Sequence, residues 1–231
     1  EYIMFVDADD LLLPGAIDAL LDAARREGAD FVQGGWRYLD GPKQVFPAKV
    51  YEGAARMELL ELPGMPWGKV FRRELFDRLR FPAGYTSYVD TPVKCLTLRM
   101  ATRAATVEAV VYAWRRNAGG ITFTTQKTPR ALQTYWIMEQ MQADSQALGL
   151  PEDALYRAIW IRQMLSVGYD RLKGLDEGLQ RDAFTLACDF LHPLLGEPSG
   201  LPFGVRLAVR AFARGDFELW RRLGRWYALS V

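Results

Sequence analysis

Tyr2-Ile3-Met4-Phe5-Val6-Asp7-Ala8-Asp9-Asp10 starts as an apolar run and ends in three carboxylates within four residues. The apolar part predicts a buried strand, and the acids give that strand a charged end. Carboxylates this close repel one another unless water, a helix N-terminus or a cation takes up the charge, and hard divalent cations favour carboxylate oxygens. Asp9 is the first candidate ligand for such a cation. Asp7 shares its side of an extended chain and joins it, whereas Asp10 is expected to support the next turn. The plainer role for Asp9 and Asp10 is to cap the helix that begins near Pro14.

Outward from this stretch, Ile17, Leu20, Leu21 and Ala24 recur at helical spacing until Gly28 stops the helix. Residues 30–38 read as a second strand, and Asp40-Gly41 signals a turn toward Val45 and Phe46, which predicts a hairpin. Residues 52–62 are helix-like, and Pro63-Gly64-Met65-Pro66 then breaks the pattern and presents Trp67 in a loop. A short strand and a short helix follow over 67–76, and Phe81-Pro82 resumes extended chain before a glycine-containing loop that ends at Asp90. Pro92 suits the first turn of a helix reaching Met100, and residues 107–114 are β-rich. From about Thr128 the pattern changes to long amphipathic helices, with Leu155, Ala158, Ile161, Leu165 and Leu172 on one face. The order predicts an α/β sheet with flanking helices over residues 1–125 and an α-helical accessory region over 126–231.

Four segments, taken in order, resemble the GT-A glycosyltransferases, the inverting family-two type in particular. They are the strand with Asp-x-Asp-Asp, Trp67-Gly68-Lys69, Phe81-Pro82 ahead of Asp90, and Tyr112-Ala113-Trp114-Arg115 with the later Ile121-Thr122. The resemblance covers residues 1 to about 125 and implies a partial GT-A, Rossmann-like sheet. It also implies the C-terminal part of a longer enzyme, because in that family an N-terminal half holding the nucleotide base precedes the Asp-x-Asp strand. On this likeness Asp7 and Asp9 would hold Mn2+ or Mg2+ against the donor diphosphate, with Asp7 also within reach of the metal's waters or the ribose. Arg115 or Arg116 would clamp the diphosphate. Asp90 matches the family's general base, which takes the proton of the acceptor hydroxyl. Trp67 would stack on an acceptor sugar with Lys69 beside it, and Lys69 and Arg72 could neutralise phosphate.

Each of these has a plainer alternative: an N-cap for Asp90, a core position for Trp67, and a basic surface turn for the arginines. The chain also departs from the family pattern. Val89 stands where Glu is usual, and Gly120 where Ser is common.

A composition of 50% hydrophobic and 25% charged residues is that of a folded globular protein, and the net charge of +1 gives no general attraction to nucleic acid. Cys95, Cys188 and the lone His192 predict neither a zinc site nor a disulfide framework, and they suit a reducing cytoplasm. No apolar run approaches the roughly 20 residues of a membrane-spanning helix. The segment from Leu201 interleaves Arg206, Arg210, Arg214, Arg221, Arg222 and Arg225 with Phe203, Phe212, Phe217, Trp220, Trp226 and Tyr227. Such helices would either pack on the helical region or rest peripherally on an anionic inner membrane face.

The resemblance implies a metal-dependent, hexosyltransferase-type glycosyltransferase. It would move a sugar from a nucleoside diphosphate to a hydroxyl of a glycan, a lipid-linked acceptor or a surface polysaccharide. The chain alone is expected to be inactive without the nucleotide-binding half. A non-catalytic transferase-like domain that binds glycan or protein is the alternative that Val89 favours. A phosphatase of the haloacid dehalogenase type, with Asp7 as nucleophile, would need a second acidic motif such as Gly-Asp-x-x-x-Asp, which the sequence lacks.

Overall fold

The computed structural model describes residues 1–117, 119–125, 128–196 and 200–228. They form two compact units, one made of Glu1–Pro82 with Val89–Asn117, the other of Ala83–Tyr88 with the described residues after Asn117. In the first unit the elements are β1 (Tyr2–Ile3), β2 (Leu11–Leu12), α1 (Ala16–Glu27), β3 (Phe31–Tyr38), β4 (Lys43–Gln44), β5 (Lys49–Glu52), β6 (Lys69–Arg72), α2 (Asp90–Met100) and β7 (Arg103–Trp114). The strands make one mixed sheet in the order β1-β6-β3-β7-β2, with β4 beside β3 and β5 beside β7. Only the β3–β7 ladder is parallel among the described strands, with Phe31 opposite Ala104 and Tyr38 opposite Trp114.

Side chains alternate across this sheet as the two-residue strand period requires. Phe31, Phe71 and Ala104 enter one core with Tyr51, Leu59 and Leu98. Val32, Val70 and Ala105 enter the other, which α1 covers through Ala16, Leu20, Ala23 and Ala24. Gly34 lets β3 and β7 approach closely, since a Cβ there would lie 2.5 Å from Val111 Cγ2. Gly28, at φ 61°, closes α1 in the left-handed conformation expected of a helix-ending glycine.

Local expectations and structure differ at four places. The first strand is shorter than residues 2–6 and is half-buried, because Phe5 leaves the ladder to pack edge-on against Phe71, Phe76 and Phe81. Pro14 lies in the turn before α1, which starts at Ala16. The hairpin after Asp40-Gly41 pairs Trp36 with Gln44, one residue short of Val45, while Phe46 turns into the core. Residues 52–62 are not α-helical. Gly53–Glu61 winds as a 3₁₀ helix, since its apolar residues cluster at Leu59 and Leu60 instead of tracing one α-helical face.

The second unit is helical: α3 (Ile121–Thr124), α4 (Gln133–Ala147), α5 (Ala154–Arg162), α6 (Gly168–Leu172), α7 (Glu177–Leu191), α8 (Phe203–Ala213) and α9 (Phe217–Ala228). Leu155, Ala158, Ile161, Leu165 and Leu172 are all buried, as their spacing predicts. A π-helical turn, Gln163–Val167, joins α5 to α6. The Trp220 indole donates to the Met164 carbonyl in that turn at 3.1 Å, with Tyr169, Phe184 and Phe217 packed around its ring. No helix of the described residues is long and apolar enough to cross a membrane.

Candidate active site

The acidic stretch folds as a tight turn between β1 and β2, and the end of β7 grips it. Inside the turn the Asp10 amide donates to the Asp7 carbonyl at 3.1 Å. Antiparallel pairing of Leu12 with Tyr112 brings the tyrosine hydroxyl beneath the turn. That hydroxyl accepts from the Asp7 amide at 3.0 Å and donates to Asp10 Oδ2 at 2.8 Å. The Arg115 amide donates to Asp10 Oδ1 at 2.7 Å, and Arg115 Nε donates to the Asp9 carbonyl at 2.8 Å. Burial, followed by the hydrogen bond to Asp10, pushes the Tyr112 hydroxyl far above the ordinary phenol range, so it remains a donor.

These bonds divide the three acids by role. Asp10 is buried, at 9% exposure, with both oxygens engaged. Asp7 and Asp9 are exposed, and among the described residues neither carboxylate has a hydrogen-bond or ion-pair partner. Partial burial, then repulsion from Asp10 and Asp9, raises the Asp7 pKa above the usual aspartate value. A cation would relieve that repulsion. Among the described residues no group of three or more His, Cys, Asp or Glu side chains is placed to hold a metal ion. Two carboxylates could hold an ion only in the mode in which Mg2+ or a similar ion takes one or two protein oxygens and fills its shell with water and substrate phosphate.

Arg115 and Arg116 are exposed at the end of β7, Arg115 beside Asp9. Trp67 is not open to a sugar ring, for it is 4% exposed and stacks on Tyr112 with centroids 4.5 Å apart and planes 7° apart. The indole backs the ring that holds the turn, and Trp67 also bridges to Phe5 at the turn's entrance. Arg72 is paired with Asp30 at 3.1 Å.

Lys69, two residues along from Trp67, is 5% exposed and donates to the carbonyls of Pro63 (3.1 Å) and Met65. Lys94 Nζ donates to Leu62 O at 2.8 Å, so two lysines gather the loop before Trp67. Burial, with the Lys94 charge adding to it, lowers the Lys69 pKa to about 7, and the negative charge of Asp90 opposes the shift. Asp90 itself is half-buried in the first turn of α2. No side chain caps this helix, and the residue at the cap position is Val89.

The turn thus brings Asp7, Asp9 and Arg115 together, and β6 places Lys69 near Asp90. Tyr112 entered the sequence reading only as part of a segment, and its bond to Asp10 spans 102 positions. A tyrosine within the apolar run of residues 110–114 is the available signal.

No family model matches the chain, and no curated protein matches it. Among solved structures it is similar to S. aureus TarS 1–349 in complex with UDP-GlcNAc, with a TM-score of 0.70, 15% identity, and coverage of 100% of this chain and 68% of that one. The same protein with UDP gives a TM-score of 0.65 at 14% identity, again over 100% and 68% of the two chains. S. aureus TarS gives 0.57 at 15% identity over 98% of this chain and 40% of that one. At these identities the likeness shows the fold, a partial glycosyltransferase-like α/β arrangement followed by helices.

Proposed function

We propose that the chain is part of a metal-dependent, inverting glycosyltransferase of the GT-A, family-two type, using a nucleoside diphosphate sugar and a hydroxyl acceptor. The observation that carries this reading is the pair of exposed carboxylates, Asp7 and Asp9, without a hydrogen-bond or ion-pair partner among the described residues and presented at a sheet end beside Arg115. Support comes from a fold shared with a protein crystallised with UDP-GlcNAc, which makes a uridine diphosphate sugar the first donor to test.

Asp7 and Asp9 would hold Mn2+ or Mg2+, which when bound neutralises charge on the departing diphosphate. Arg115 and Arg116 supply donors for phosphate oxygens. Asp90 takes the acceptor hydroxyl proton as that oxygen attacks the anomeric carbon and the bond from the anomeric carbon to the diphosphate breaks. The acceptor is a glycan, a lipid-linked sugar or a surface polysaccharide. Peripheral contact with an anionic membrane belongs to the same reading, supported by Phe203 and Trp226, 65% and 56% exposed, and by exposed arginines on α8 and α9.

The test is a donor screen on the whole protein that carries this chain, with and without Mn2+. Release of UDP that needs Mn2+ and is lost in Asp90→Asn is expected. Nucleotide binding without turnover would instead favour a non-catalytic, glycan-binding transferase-like domain, the reading that Val89 at the position before Asp90 supports. Failure to bind any nucleotide, with or without Mn2+, would overturn the glycosyltransferase reading and leave a non-catalytic domain that binds glycan or protein.

A further inference from the structure

The three acids of residues 7–10 are not equivalent, and the difference comes from β7. The Tyr112 hydroxyl touches both ends of the turn, accepting from the Asp7 amide and donating to the Asp10 carboxylate. Arg115 touches its last two residues, the Asp9 carbonyl through Nε and the Asp10 carboxylate through its amide. Four hydrogen bonds from two residues therefore fix a turn that has one internal bond of its own, from the Asp10 amide to the Asp7 carbonyl. Without them, two like charges would drive the Asp7 and Asp9 side chains apart.

We propose that Tyr112 and Asp10 form a positioning clasp that fixes the residue 7–10 turn so that Asp7 and Asp9 stay together for one cation. The clasp rests on the functional reading above, and it assigns Asp10 to holding the turn and not to the ion. Neither residue is a catalytic residue. Trp67, stacked on the Tyr112 ring, holds the ring in place from behind. Groups that orient metal ligands typically change metal affinity about 10- to 100-fold when removed.

Tyr112→Phe is the informative variant, because the ring keeps its stack on Trp67 and only the hydroxyl is lost. Mn2+ affinity is measured directly on the whole protein with UDP present, by titrating the electron paramagnetic resonance signal of free Mn2+. UDP affinity without metal and thermal melting are measured alongside. The expected result is a loss of about 10- to 100-fold in Mn2+ affinity, with metal-free UDP binding unchanged. Asp10→Asn, which replaces one acceptor oxygen with a donor, is expected to do the same and serves if Tyr112→Phe does not fold. Wild-type affinity in both variants would overturn the clasp while leaving the glycosyltransferase reading intact. Absence of Mn2+ binding in the wild type would overturn both the metal-dependent reading and the clasp.

Discussion

Asp90 and Lys69 carry the sharpest tests at the scale of single residues. A general base contributes about 10²- to 10⁴-fold to rate, so Asp90→Asn is expected to lower kcat by that factor while Mn2+ and nucleotide affinities hold. Unchanged turnover would remove Asp90 from the chemistry. For Lys69, burial sets a pKa of about 7 against an ordinary value of 10.5. Between those values the unfolded chain binds more protons than the folded one. Stability is therefore expected to rise with pH from about 7 to about 10.5 and to be flat below. The slope is at most about 1.4 kcal/mol per pH unit for one proton. Lys69→Met should lack this slope, and urea unfolding at several pH values compares the two. A difference that stays flat would mean that Asp90 and the carbonyls of Pro63 and Met65 keep the ammonium charged. Asp7 and Asp9 stand out in the sequence because their chemistry lies in neighbouring letters. The part played by Lys69 was hidden, because a lysine between a glycine and a valine gives no sign that it will be enclosed.

Elements with a clear period were legible, and those without one were not. The spacing of Leu20 and Ala24 announced α1, and the β-rich run to Trp114 announced β7. β2, with two residues, and β5, with four, are too short for alternation to show. Nor could the sequence show that β3 and β7 lie close enough to exclude a methyl group at Gly34. There the neighbouring atoms belong to Val111, a β-branched side chain with little rotamer freedom. Gly34→Ala is expected to destabilise by roughly 1–3 kcal/mol through overpacking. Adding Val111→Ala should recover part of that loss, and urea denaturation of the single and double variants measures both. Independent, additive effects would contradict the contact.

For the whole molecule, the change of pattern near Thr128 correctly foretold a helical body after the sheet, because wide apolar stripes need partners to bury them. The surface left by α8 and α9 bears on membrane attachment. Exposed Arg206, Arg210, Arg214, Arg222 and Arg225 should draw the protein to vesicles containing phosphatidylglycerol but not to phosphatidylcholine alone. Sedimentation with vesicles at low and high salt tests this, with binding expected to weaken as salt rises. Arg222→Glu with Arg225→Glu should reduce it further, and equal partition to both vesicle types would refute an electrostatic attachment.

The hydrogen bond from Trp220 to Met164 ties α9 to the π-helical turn made 56 positions earlier. A ribosome must therefore deliver α9 before that earlier turn can close around the Trp220 indole. Nascent chains stopped ahead of residue 220 should expose Tyr169 and Phe184, the ring's neighbours, to chaperones and proteases. Protection in pulse-labelled chains is then expected to arrive abruptly, once α9 has cleared the exit tunnel.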